Sequence, residues 1–144
     1  MSTTKLAESL MTNVMGLRRV IRRKLTPQLL DTRLRGAQVE LLRIVEREPG
    51  IGVAAAAKAL HLAGNSVSTL VNQLIETGML RRRVDPADRR AARLELTETA
   101  RARLANWRRA RTEYVAGALD QLSKEDIEAI EAAIPALNRL LEAL

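Results

Sequence analysis

The spacing of apolar residues changes at Gly78, and this change leaves the chain few architectures to adopt. Before it, Val67, Leu70, Val71, Leu74 and Ile75 share one face of a helix spanning about Gly64 to Thr77, with Asn65, Ser68, Thr69, Asn72 and Gln73 elsewhere on its surface. Gly78 supplies the left-handed residue that ends many helices. After it, Leu80–Val84 and Arg93–Thr97 read as short strands, joined by a turn-rich link that begins Asp85-Pro86. A strongly amphipathic helix must therefore lead directly into a two-stranded ribbon.

The rest of the chain is helical in pattern. Leu6, Leu10, Val14, Leu17, Ile21 and Leu25 step by three or four residues and predict a long first helix closed by Pro27. Val39, Leu41, Leu42 and Val45 mark a second helix over about Arg35 to Glu48, stopped by Pro49-Gly50. Residues 53–60, nearly all Ala, Leu and Val, form a short third one. Beyond the ribbon, Thr97 caps a helix running to about Leu119, with Ala100, Leu104 and Trp107 as its apolar stripe. Ser123, with an acid three residues on, opens a last helix striped by Ile127, Ile130, Ile134, Leu137 and Leu141, which Pro135 is expected to kink at a cost of about 3 kcal/mol. The expected fold is mostly α with a small two-stranded β wing. Residues 1–144 form one domain, with a winged helix-turn-helix at 35–97 and a helical region at 1–30 and 98–144.

Composition narrows the function classes. Hydrophobic residues are 47% of the 144, yet Phe is absent and Trp and Tyr occur once each, so the core is aliphatic. The absence of Cys excludes disulfides, thiolate metal sites and cysteine redox sensing, and a lone His61 cannot build a metal site. No apolar run approaches the ~20 residues of a membrane span, and the N-terminus lacks a signal-peptide core, so a cytoplasmic protein is expected. Gly50-Ile51-Gly52-Val53-Ala54-Ala55 fits a dinucleotide fingerprint, but a charged helix precedes it and the first later carboxylate is Glu76. No nucleophile, base and orienting group come together in the sequence, so neither catalysis nor a cofactor is expected.

Charge is uneven: residues 1–80 carry a net +5, residues 81–111 carry 11 Arg against four acids, and residues 112–144 a net −5. A short arginine-rich segment is the footprint expected for a polyanion, chiefly nucleic acid. Asn65, Ser66, Ser68, Thr69, Asn72 and Gln73 can bond base edges in a major groove, where Asn and Gln suit adenine. Arg89, Arg90 and Arg93, on or beside the ribbon tip, can reach phosphates or a narrow minor groove. Asp85 and Asp88 are candidates to orient these guanidinium groups. The alternative for each side chain is an ordinary solvated surface. For the whole chain it is a basic helical module that meets acidic proteins or membrane surfaces without reading DNA sequence.

Asp85-Pro86-Ala87-Asp88-Arg89-Arg90-Ala91, followed by Leu94-Glu95-Leu96-Thr97-Glu98, resembles the wing of the MarR family of bacterial transcriptional regulators, and Val67-Ser68, Leu74 and Gly78-Met79-Leu80 resemble its recognition helix and exit. The resemblance implies that Asp88 and Arg90 form the wing pair that touches DNA. It also implies a homodimer built from the terminal helices, a palindromic operator and a repressor role. Many such regulators respond to a small, often aromatic effector; Trp107 and Tyr114, two turns apart, could line such a pocket or serve as ordinary core or interface aromatics. The sequence departs from the family at Ala63, where Ser or Thr usually caps the recognition helix, and in having no Arg between Gly64 and Thr77. An A·T-rich operator is therefore expected.

Overall fold

A computed structural model describes residues 1–29, 36–89 and 91–144. Its elements run α1 (Thr3–Leu29), α2 (Gly36–Arg47), α3 (Val53–Leu60), α4 (Gly64–Glu76), β1 (Leu80–Val84), β2 (Ala92–Leu96), α5 (Glu98–Leu119) and α6 (Lys124–Ala143). The chain divides into two compact units, Met1–Arg109 and Ala110–Leu144. Helix α1 continues two residues past Pro27, because a proline in the last turn removes one backbone donor and leaves the earlier turns intact.

In the first unit the core is wholly aliphatic. Leu41, Leu42 and Val45 of α2, Ala56 and Ala57 of α3, and Val67, Val71 and Leu74 of α4 pack with Met79, Leu80, Leu94 and Leu96 of the ribbon and Ala100 and Leu104 of α5. Val67, Val71 and Leu74 follow the i, i+4, i+7 spacing that keeps one stripe of a helix inward, and each is fully buried. Fully burying side chains of this kind contributes about 1.5–3 kcal/mol each.

Two turns of matching geometry set the angles of α3 and α4. At the end of α4, Gly78 takes φ +75, its N–H donates to Ile75 O at 3.1 Å, and Met79 N donates to Leu74 O at 2.8 Å. At the end of α3 the same pair of bonds recurs: His61 N to Lys58 O at 3.2 Å and Leu62 N to Ala57 O at 3.0 Å. His61 holds the left-handed position there, at φ 55, although it carries a Cβ.

Strands β1 and β2 are antiparallel, pairing Leu80 with Leu96, Arg82 with Leu94 and Val84 with Ala92. The ribbon is also tied to the loop before α3: Gly50 N donates to Leu94 O and Leu94 N to Ile51 O, both at 2.9 Å, and Gly52 bridges to Arg93. Gly50, at φ +85, makes the turn that brings this loop alongside. The Gly50–Gly52 segment thus follows a helix and serves as a strap for the ribbon, a context unlike that of a dinucleotide site. Thr97 joins ribbon to helix: its Oγ1 donates to Gly78 O at 2.6 Å and accepts from Ala100 N at 3.2 Å, capping α5.

In the second unit, Ser123 Oγ accepts from Asp126 N at 3.1 Å and starts α6, with Glu125 and Asp126 placed favourably for the helix dipole. Helix α6 runs through Pro135 as one element and buries none of its residues. Ile130, Ile134 and Leu141 are 40%, 49% and 70% exposed.

Candidate nucleic-acid interface

Helix α4 turns its aliphatic stripe inward and leaves a polar face outside. Asn65, Ser66, Thr69, Asn72 and Gln73 are exposed and Ser68 is half-buried. Its N-cap is Ala63, in extended conformation and without a side-chain cap, as expected from the missing Ser or Thr. The Asn65 Oδ1 accepts from Ser66 N at 2.9 Å instead, satisfying one donor of the first turn.

The polar residues are not equally available. Gln73 Oε1 accepts from Nε2 of buried Gln38 on α2 at 3.0 Å, and Asn72 Oδ1 accepts from Arg82 Nη2 of β1 at 2.9 Å. Thr69 Oγ1 donates to the Asn65 carbonyl at 3.1 Å. Neither Gln38 nor Arg82 stands out in the sequence, because each acts through a contact between elements that no local pattern records.

The wing carries its arginines in two sets. Strand alternation puts Arg81 and Arg83 on one face, where Glu95 receives both: Arg81 Nε at 3.1 Å and Arg83 Nη1 at 3.0 Å. Arg82 falls on the other face, opposite Leu94, and reaches α4. All three are exposed.

Arg93, read from the sequence as lying on or beside the ribbon tip, is engaged within the wing. Its Nε and Nη2 donate to Asp85 Oδ2 at 3.2 and 3.0 Å, and its Nη1 to Gly50 O at 3.2 Å. It lies within β2 and braces the hairpin against the strap, and the orienting acid is Asp85. Asp85 Oδ1 also accepts from Ala87 N at 2.9 Å; that bond first, and Arg93 second, hold the carboxyl below its ordinary value of 3.8. Arg89 is exposed beyond the strands, and the Asp88 carbonyl accepts from Ala91 N at 3.0 Å in the same turn. Arg90 lies outside the described residues, and so does any geometry of an Asp88–Arg90 pair.

Trp107 of α5 is half-buried, with the Arg43 guanidinium 4.4 Å from its ring centroid. Nearby, Arg108 pairs with Glu46 of α2. Tyr114, in the second unit, is 37% exposed. Among the described residues no cluster of acidic, His or Cys side chains could hold a metal, and no helix is long and apolar enough to cross a membrane.

A short helix, a turn, a polar-faced helix and an arginine-rich ribbon strapped to the same core define a winged helix-turn-helix protein. Comparison with known proteins agrees. Residues 34–91 match the model of the MarR family. The fold is shared with the transcriptional regulator Tm0710 of Thermotoga maritima at 23% identity and a TM-score of 0.80, covering 98% of this chain and 96% of that one. A MarR family protein of Bacillus stearothermophilus is 20% identical with a TM-score of 0.77, covering 96% and 94%. Streptococcus pneumoniae FabT, solved in complex with DNA, is 21% identical with a TM-score of 0.74, covering 99% of each chain. No curated protein matches in sequence. The matched residues span α2, α3, α4 and β1, so the resemblance to the MarR family covers the helix-turn-helix and most of the wing, while the rest of the chain shares the fold of the structures named above.

Proposed function

We propose that this protein is a repressor that binds a palindromic operator as a homodimer, with α4 in the major groove and the wing against the backbone or minor groove. The observation that carries this reading is the pairing of an exposed polar face on α4 with an arginine ribbon braced to the same core. Asn65, Ser66, Ser68, Thr69, Asn72 and Gln73 are the base- and phosphate-contacting candidates, and Arg89 and Arg90 the wing contacts. Arg93 has a supporting role, set by its bonds to Asp85 and Gly50. That FabT was solved with DNA supports the same use of this fold.

Dimerisation is supported by apolar side chains that each terminal helix leaves exposed: Leu6, Val14 and Leu17 on α1, and Ile130, Ile134 and Leu141 on α6. A two-fold dimer presents two copies of α4 to two half-sites, which makes the operator palindromic. A small-molecule effector is the least supported part. A cavity of about 260 Å³ lined by Val45, Glu46, Leu96, Arg101, Ala105 and Arg108 is just below the usual range for small-ligand sites, and its two guanidinium groups are already paired, Arg101 with Glu98 and Arg108 with Glu46.

Titration against a fluorescent fragment of the DNA upstream of its own gene, and an unrelated fragment of equal length, tests the reading. Tight, salt-sensitive binding to the first alone, weakened by Arg90→Ala, supports it. Equal weak binding to both fragments would favour a non-specific basic surface.

A further inference from the structure

Helix α4 carries three carboxamides, Asn65, Asn72 and Gln73, and in all three the amide oxygen is already engaged. Asn65 Oδ1 takes Ser66 N at 2.9 Å, Asn72 Oδ1 takes Arg82 Nη2 at 2.9 Å, and Gln73 Oε1 takes Gln38 Nε2 at 3.0 Å. An amide whose oxygen is held inside the protein offers its NH2 group to a partner. Thr69 is the reverse case, since its hydroxyl donates to Asn65 O and leaves lone pairs to offer. The exposed face of α4 therefore presents donors at 65, 72 and 73 and an acceptor at 69.

We propose that Arg82 is a specificity-positioning residue, which fixes the Asn72 amide so that it reads an acceptor edge, guanine N7 and O6 or thymine O4, and rejects adenine. The proposal rests on the major-groove reading of α4 given above. Bidentate reading of adenine requires both halves of an amide, because its N6 donates while its N7 accepts, whereas guanine offers two acceptors to an NH2 group. At Asn72 the oxygen is turned toward the cationic Arg82 guanidinium and the NH2 away from it, so the N6 amino group would have to reach that oxygen's remaining lone pair beside a positive charge. Only Arg82 of the three β1 arginines can do this, since strand alternation sends Arg81 and Arg83 to Glu95. The simple expectation that Asn and Gln select adenine is thereby altered: an A·T pair is read here from its thymine.

Selection from a randomised duplex library, run in parallel with wild type and variants, tests this. The position read by Asn72 is the one, repeated in each half-site, whose preference Asn72→Ala abolishes. Wild type is expected to enrich guanine or thymine there. Arg82→Met frees the amide and moves the preference to adenine, a change in relative affinity of about five- to a hundredfold. Arg82→Lys keeps a cation and a donor and retains the wild-type choice, whereas Arg81→Met, equal in charge change, lowers affinity without altering it. In an Asn72→Ala background Arg82→Met changes no preference. Adenine at that position in wild-type sites, or the same base in wild-type and Arg82→Met sites, overturns the proposal while leaving the DNA-binding reading intact. Enrichment of no sequence by wild type overturns both.

Discussion

The segment from α2 to the first turns of α5 and the terminal helix α6 are built from similar aliphatic residues, yet they treat them in opposite ways. In the former, Leu41, Val67, Val71, Leu74 and Leu94 lose all contact with solvent; in the latter nothing is buried, and Leu141 remains 70% exposed. Helix α1 is similar over most of its length, with Leu6 56% and Leu17 62% exposed, although Leu25 near its end is buried. The difference separates two uses of an amphipathic stripe. One completes a core within a single chain, while the other stays exposed and is the surface assigned above to the proposed dimer.

The sharpest break in that comparison comes from shortening a buried residue on one side and an exposed one on the other. Leu74→Ala leaves a cavity in the aliphatic core, where Leu74 is fully buried, and is expected to lower stability by about 2–5 kcal/mol in urea unfolding. Leu141→Ala, in protein diluted below any self-association, is expected to change it by less than about 0.5 kcal/mol. Charging the terminal stripe acts on assembly instead. Ile134→Asp with Leu141→Asp should raise the dissociation constant of a dimer by at least about a hundredfold, since each charge is buried twice across a two-fold interface. Sedimentation equilibrium reads this directly, and a pair of variants that sediments like wild type would remove α6 from the interface.

The contrast between these regions also explains what the sequence could say beforehand. Periodicity located α1, α2, α4, α5 and α6, and composition α3; within the first unit the stripe of α4 also records burial, since Val67, Val71 and Leu74 are legible as an inward face from spacing alone. Gly78 as a left-handed terminator was equally legible, since few residues accept that conformation. His61 was not; it occupies the same position at the end of α3, and its identity gives no sign of it. At the interface, the candidates on α4 were visible as polar residues on an apolar helix. Their partners were not, because Gln38 reaches Gln73 across 35 residues of sequence and Arg93 bonds Gly50 across 43. Of two acids in the wing link, residue type alone could not choose Asp85 over Asp88 as the partner of Arg93. The hairpin register decides it.

Smaller changes probe how the helix-turn-helix is held against the core. Thr97→Ala removes both the bond to Gly78 O and the cap on Ala100 N, and is expected to cost about 1–2 kcal/mol in chemical unfolding, with slower or weaker DNA binding as the ribbon loosens. His61→Gly works the other way. A Cβ in the left-handed region costs about 1–2 kcal/mol, and glycine returns most of that while adding about 0.5–1 kcal/mol of chain entropy in the unfolded state, so stability should rise by about 0.5 kcal/mol. A loss of stability would mean that the His61 side chain contributes more to the turn than its backbone strain subtracts.

The smallest effect is confined to the wing and depends on pH. Asp85 is held ionised by the Ala87 N–H and by Arg93, so its carboxyl titrates below 3.8 in the folded chain. A carboxylate with a depressed folded value stabilises the fold above its unfolded value, and that contribution fades as pH falls through the folded one. The wing should therefore be indifferent to pH from neutrality down to about 4 and loosen only below it. In a titration followed by NMR, the Ala87 amide resonance is expected to move in that acidic window, and Asp85→Asn should abolish the movement while leaving the amides of α4 in place. Movement centred near pH 6 would assign the change to a group other than Asp85.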